Sequence, residues 1–320
     1  MTEPLPRFRP DTLRDALRRA ASPGWWWAAA LVVIGFVGAL GIGMAITHVI
    51  DDDFDFGPGS VETGQSRAVA IAARLVFREI DQHNWAANDP FFTPGWWLDD
   101  TPAFQQGIAT AVGRMSAALA AASDHGQGPV SELERAAGLL KYPGTVWKFD
   151  PSTSWAPTAS SEKMYRGAAR NLVEFNRSLA GGGPGLDLDA ATLAQVVSAI
   201  GRDLDIISAN TDRHLAENHS ALFDTKADDL FYGTKGRVYA YGLMLRELGG
   251  DFAQVLTDRN LAVEWRQMIE ALQAAAALEP LVVLNGAPDG TFVPSHLTAQ
   301  GFYLLRARAI LAGIAEKLAS

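Results

Sequence analysis

The sequence predicts an all-α protein: one N-terminal transmembrane helix followed by a periplasmic domain of about eight helices. Three observations carry this. Residues 25–50 form an apolar run without Asp, Glu, Lys or Arg. Beyond it, apolar residues recur every three or four positions. The intervals between those stripes hold capping residues, prolines and glycine clusters.

The run from Trp25 to Ile50 has only Thr47 and His48 as strongly polar members. About 20 apolar residues span a hydrocarbon core, so this one crosses with some tilt. Arg7, Arg9, Arg14, Arg18 and Arg19 precede it, and Asp51, Asp52, Asp53 and Asp55 follow it. Basic flanks stay cytoplasmic. Residues 1–24 are therefore expected to be a short basic cytoplasmic segment, 25–50 the membrane helix and 51–320 a periplasmic domain, in a bacterial inner membrane. Trp25, Trp26 and Trp27 suit the inner headgroup zone. A cleaved signal peptide would have a shorter apolar core, of about 7–15 residues, and a better small-residue site than Gly43-Met44-Ala45. An uncleaved anchor is the expectation.

Helical stripes follow in order. They are Val69, Ala72, Val76, Ile80; then Phe104, Ile108, Ala111, Met115, Leu119; then Leu193, Val197, Ile200, Leu204, Ile207. Next come Val238, Tyr241, Leu245, Leu248; then Leu261, Trp265, Met268, Leu272; and last Leu304, Ala307, Leu311, Ile314, Leu318. Each is a one-sided stripe that needs a neighbour to cover it. The first outer helix is expected to start near residue 60. Thr101 before Pro102 predicts an N-cap with proline at the first helical position. Ser131 with Glu134 matches a capping box. Gly181-Gly182-Gly183-Pro184 ends a helix and marks a possible subdomain break near 181–186, and Gly249-Gly250 predicts another end. One segment departs from helical period. Leu281 to Leu284, Asn285-Gly286, Asp289-Gly290 and Thr291 to Val293 predict a short β-hairpin or looped excursion over 281–293.

Composition excludes several function classes. The chain has 27 Lys+Arg and 36 Asp+Glu. Residues 1–50 hold five Arg and three acids, so the outer body keeps 22 against 33, a net charge near −11. Nucleic acid is not an expected partner, because binding it needs clustered Lys and Arg. Cysteine is absent, which excludes disulfides, thiolate nucleophiles, iron–sulfur clusters and attached c-type haem. There is no Walker-type nucleotide loop, no Gly-x-Ser-x-Gly elbow and no cofactor signature; no cofactor is expected.

Four constellations could carry function. Gly35, Ala39 and Gly43 share one face of the membrane helix, where small residues admit a second helix. A membrane-protein partner or a second copy is the expected occupant. His214, Glu217 and His219 are close in sequence, but a five-residue step turns the two histidines apart on a regular helix. No metal site is expected there. Residues 223–232 are densely polar and aromatic. Asp224, Asp228 and Asp229 could serve as paired carboxylates or bind a partner. Asp228, Tyr232, Lys235 and Tyr239 step by four, three and four, and so share a face opposite the Val238–Leu248 stripe. The bland reading is a capping pair, Thr225 with Asp228, leading an ordinary polar face. Finally, Trp85, Phe91, Phe92, Trp96 and Trp97 cluster among Pro90, Pro94 and Gly95. They are expected to plug the end of a helical core; alternatively they line a ligand groove or sit near the membrane surface.

Asp224 to Tyr232, Lys235-Gly236, Tyr239, Asn285-Gly286, His296-Leu297 and Arg306-Ala-Arg308 resemble a bacterial family of uncharacterised envelope proteins with one N-terminal anchor. The resemblance implies a Gram-negative inner-membrane setting and carries over no catalytic residue. The expected function is a non-enzymatic scaffold or accessory subunit of an inner-membrane or cell-envelope assembly. It would dock through the membrane helix and the helical body. The alternative is a periplasmic module binding lipid, glycan or peptide, with Trp96 and Trp97 among its contacts. A carboxylate-dependent hydrolase ranks below both.

Overall fold

In a computed structural model of the chain, the residues described are 23–123, 131–149, 155–183, 185, 187–217, 225–280 and 295–320. Among them the fold is all-α, with ten helices and no β-strand. The 281–293 excursion, Asp224 and His219 lie outside the described residues. Two compact units are present, Met1–Ile46 and Thr47–Ser320.

The first unit holds α1, Pro23–Thr47. Its stretch Trp25–Thr47 has a mean hydropathy of 2.4 and no buried share, so it is long and apolar enough to cross a membrane.

The second unit holds α2 (Arg67–Phe77), which runs into a π turn (Arg78–Gln82), then a 3₁₀ turn (Pro94–Trp97), α3 (Asp100–Ala122) and α4 (Glu132–Leu140). After these come α5 (Ser161–Ala180), α6 (Ala190–Glu217), α7 (Thr225–Asp251), α8 (Ala253–Asp258), α9 (Ala262–Ala276) and α10 (His296–Ala319). Every residue of the six predicted stripes is buried in one core. The Ser131–Glu134 capping box forms with both of its hydrogen bonds, and Gly181 caps α5.

Helix α7 is the axis of the body. It packs on α2, α3, α9 and α10, and from Val238 to Leu245 it is buried on every side. The notion of a polar face opposite the Val238–Leu248 stripe is therefore overturned: Tyr239 is fully buried, Lys235 is 1% exposed and Tyr232 9%. Helix α3 crosses α7 backbone to backbone. A Cβ on Gly107 would run into the Gly233 carbonyl, and one on Gly236 into the Phe104 carbonyl. Glycine costs helix stability in general, but here only glycine lets the two axes approach.

Three local expectations shift by a few residues. The N-cap of α3 is Asp99, not Thr101; Pro102 sits inside the first turn, where its missing N–H has no intrahelical acceptor to lose. The first outer helix starts at Arg67, because Ser66 caps it and Asp251 receives its free amides. Gly249-Gly250 does not end α7, which continues to Asp251. Gly249 instead makes room for Trp265, whose indole N–H donates to the Leu245 carbonyl at 3.1 Å.

Candidate functional site

Two sets of predicted residues separate in space. Lys235 and Tyr239 face the segment that follows α1. The Lys235 ammonium bonds Asp52 at 2.7 Å and the Leu278 carbonyl at 2.9 Å. The Tyr239 hydroxyl donates to the Asp53 carbonyl at 3.0 Å and accepts from Arg78 at 2.8 Å. Arg78 also reaches the Asp51 carboxylate at 3.2 Å and its own neighbour Glu79 at 2.9 Å. Its guanidinium lies 4.6 Å from the Phe56 ring centroid. Arg246 donates to the carbonyls of Phe54 and Phe56. Burial works against the Arg78 charge, but Glu79, Tyr239 and Asp51 outweigh it and hold its pKa above the ordinary value. Residues 51–56 thus form a strap clamped to the core by four side chains. Of the acidic run that served as a topology signal, Asp51 and Asp52 pair with buried cations, while Asp53 and Asp55 stay exposed.

The second set gathers where the N-terminal ends of α3 and α7 meet. One carboxylate oxygen each from Asp99, Asp100 and Asp228 lie within 4.8 Å of one another. Asp228 hydrogen-bonds Asp100, and its pKa is pushed up to about 7 by burial and then by Asp100. Asp100 and Asp229 are also raised, first by burial and then by Asp99. Two carboxyls this close share a proton rather than both ionise. One Asp100 oxygen is buried without a hydrogen-bond partner. Tyr232 on α7 is raised by burial and then by the charges of Asp100 and Asp228.

Beside this cluster opens a cleft of about 640 Å³, lined among others by Asp89, Trp96, Asp99, Asn210, Asp229 and Arg237. Asp89 is raised too, by burial and then by Glu162. Three acidic oxygens could hold part of the shell of a hard cation, which takes six or more; the same oxygens suit an ammonium or guanidinium group.

The aromatic cluster divides. Trp85 plugs the core as expected: it is 4% exposed, donates to the Gly144 carbonyl at 2.7 Å and stacks edge-on against Tyr165. Phe91, Phe92, Trp96 and Trp97 do not plug it. They are 57–69% exposed, because the 3₁₀ turn Pro94–Trp97 sits on the surface with only Gly95 buried. Phe91 packs edge-on against Phe92, Phe92 against Trp147 and Trp147 against Phe149, so these four form one continuous aromatic chain, with Trp96 and Trp97 exposed on the adjoining turn. In α1, Gly35 has no atom near the position of a Cβ.

Sequence reasoning missed Asp89, Asp99, Asp100, Arg78 and Arg237. Arg78 left a trace, as one of two charges, with Glu79, between Val76 and Ile80 of an apolar stripe. Asp99 and Asp100 left another, as acids at a helix start.

Residues 190–320 match DUF2333, described as an uncharacterized protein conserved in bacteria. This bears out the resemblance to a bacterial family of unknown function over α6 to α10. It includes Asp228, Asp229, Lys235 and Gly236, and leaves Asp99, Asp100, Arg78 and the aromatic patch outside the match. No curated protein and no solved structure matches the chain.

Proposed function

We propose that this chain is a membrane-anchored, non-enzymatic accessory subunit of a bacterial inner-membrane or cell-envelope assembly. Its N-terminus is cytoplasmic and its body periplasmic. The body takes a cationic segment of its partner in the acidic cleft, and the Gly35, Ala39 and Gly43 face packs against a partner helix.

The observation that carries the reading is the rim of Asp89, Asp99 and Asp229 around a cleft of about 640 Å³. Three aspartates against the single Arg237 leave the cleft net negative, and such a field steers an oppositely charged partner and sets its orientation. Burial raises the pKa of Asp89 and Asp229, and an incoming ammonium or guanidinium would offset that and gain a charge-assisted hydrogen bond. The basic flank before α1 and the acidic flank after it support the orientation. A glycosidase places its carboxyls at least about 5 Å apart, whereas Asp228 and Asp100 are hydrogen-bonded, which weighs against that hydrolase.

Replacing Asp99 and Asp229 with Asn, and separately Asp228 and Asp229, tests the reading. Full-length protein purified in mild detergent should lose salt-sensitive partners in mass spectrometry while keeping its melting temperature. Unchanged co-purification in both variants would sink the docking role of the cleft. The alternative of a lipid, glycan or peptide module draws support from the exposed aromatics beside the same cleft, and predicts that small ligands rather than proteins leave with the substitutions.

A further inference from the structure

Four exposed aromatics on a surface turn need an occupant, and the chain's own connectivity supplies one. His48 is one residue beyond the last residue of α1. Its Nδ1 lies 3.4 Å from the Thr101 hydroxyl, in the first turn of α3. Trp97 is four residues before Thr101, so at most about 14 Å of chain separates them. Asp51 is already held by Arg78 at 3.2 Å. The tether between α1 and the clamped body is therefore residues 48–50 alone, roughly 10 Å when fully extended.

A helix from Trp25 to Thr47 is about 34 Å long, enough to cross a core of about 30 Å. His48 then leaves the bilayer at the outer headgroup zone, which is about 5–7 Å thick on each side. Trp97, the end of the aromatic loop nearest Thr101, is thus tethered to that zone through at most about 14 Å of chain beyond Thr101. Indole groups partition there, apolar body toward the acyl chains and N–H toward water, and the neighbouring phenyl rings bury against the acyl boundary. The surroundings are acidic, with Asp89, Asp99 and Asp100 close by in the chain, so contact with anionic lipid is unfavourable.

We propose that the loop of residues 91–97, with Trp147 beside it, lies in the headgroup zone of the same bilayer that holds α1. The body rides on the membrane surface rather than hanging free of it. Partitioning of aromatic side chains holds it there, independently of lipid charge. The proposal rests on α1 spanning the membrane, and not on the cleft binding a partner.

The cysteine-free sequence makes the test direct. Phe91→Cys, Ala191→Cys and Gly35→Cys are each labelled with an environment-sensitive fluorophore in the full chain, reconstituted into phosphatidylcholine vesicles. Ala191 is the control. It is exposed, and it lies on α6 nineteen residues before Asn210, which lines the cleft with Trp96; that is about 28 Å along the helix. Headgroup nitroxide lipids should quench the Phe91 label strongly and the Ala191 label little, with iodide showing the reverse order. High salt should change neither.

A deep, lipid-quenched Gly35 label with a Phe91 label as open to iodide as the Ala191 label overturns loop docking alone. A Phe91 label shielded from both quenchers points to a second copy of the chain and also overturns it. A Gly35 label that lipid nitroxides do not reach removes the tether and overturns both readings. A Phe92→Ser, Trp97→Ser variant with an unchanged melting curve should restore iodide access to the Phe91 label. Retained shielding in that variant would show that the aromatics do not cause it, which overturns the proposal too.

Discussion

Replacing Lys235 with methionine takes a charge out of the middle of α7 while leaving most of its stem volume. Its side chain is 1% exposed and that of its partner Asp52 is 19% exposed. Removing one member of a buried pair costs about 3–5 kcal/mol, mostly because the other charge is stranded. Asp52 retains some contact with water, which moves the expected loss for the pair toward about 2–3 kcal/mol. The Leu278 carbonyl loses its 2.9 Å donor as well, adding about 1 kcal/mol. The total, about 3–4 kcal/mol, should lower the melting temperature by roughly 6–16 °C. Circular dichroism of the full chain in detergent reads this. A protease that cleaves beside aspartate gives a local readout, since a released strap newly exposes Asp51 and Asp52. Adding Asp52→Asn should recover about half of the loss, because neither charge is then stranded. A melting temperature within about 2 °C of the parent, or purely additive losses in the double variant, would refute the clamp.

Gly236→Ala should cost about 2 kcal/mol, as overpacking against the Phe104 carbonyl exceeds the gain in helix propensity. Gly138→Ala, on an open part of α4, should instead raise stability by about 0.5–1 kcal/mol, both read by denaturant titration. Asp228 binds its proton more tightly folded, near pH 7, than at its ordinary value of 3.8. Its contribution to stability is full below about pH 4 and is lost as pH rises through 7. Asp228→Asn should flatten that decline in melts run across this window, by less than about 1 kcal/mol because the site faces solvent; an unchanged slope would contradict the shared proton. Asp251 accepts from the Ser66 hydroxyl at 2.7 Å and the backbone N–H groups of Arg67 and Ala68 at 2.8 and 3.1 Å. Asp251→Ala should cost about 2 kcal/mol in thermal melts by uncapping α2.

Much of the fold could be read before any coordinates, and less of the site. Apolar stripes at helical period, the Ser131–Glu134 box and the Gly181 terminus each depend on a few residues of one segment. Intervals of three and four decide which face is buried whatever the partner. The shifted boundaries have tertiary causes: Asp251 caps a helix that starts at Arg67, and Trp265 occupies the space at Gly249. Lys235 and Tyr239 are the instructive case. Their spacing with Asp228 and Tyr232 reads as a polar face, and in a peripheral helix it would be one.

By itself the sequence determined the helical class, the apolar span of α1, the acidic and cysteine-free character of the body and the residues of its core. These follow from composition and from periodicity within single helices, where the backbone enforces the spacing. Only the tertiary structure decided that α7 is central, so that its polar residues meet a strap some 180 positions earlier instead of water. It also decided that Asp99 and Asp100 join Asp228, and that the aromatic turn stays on the surface. Charges and rings select partners by distance in space, and distance between remote segments is set by packing.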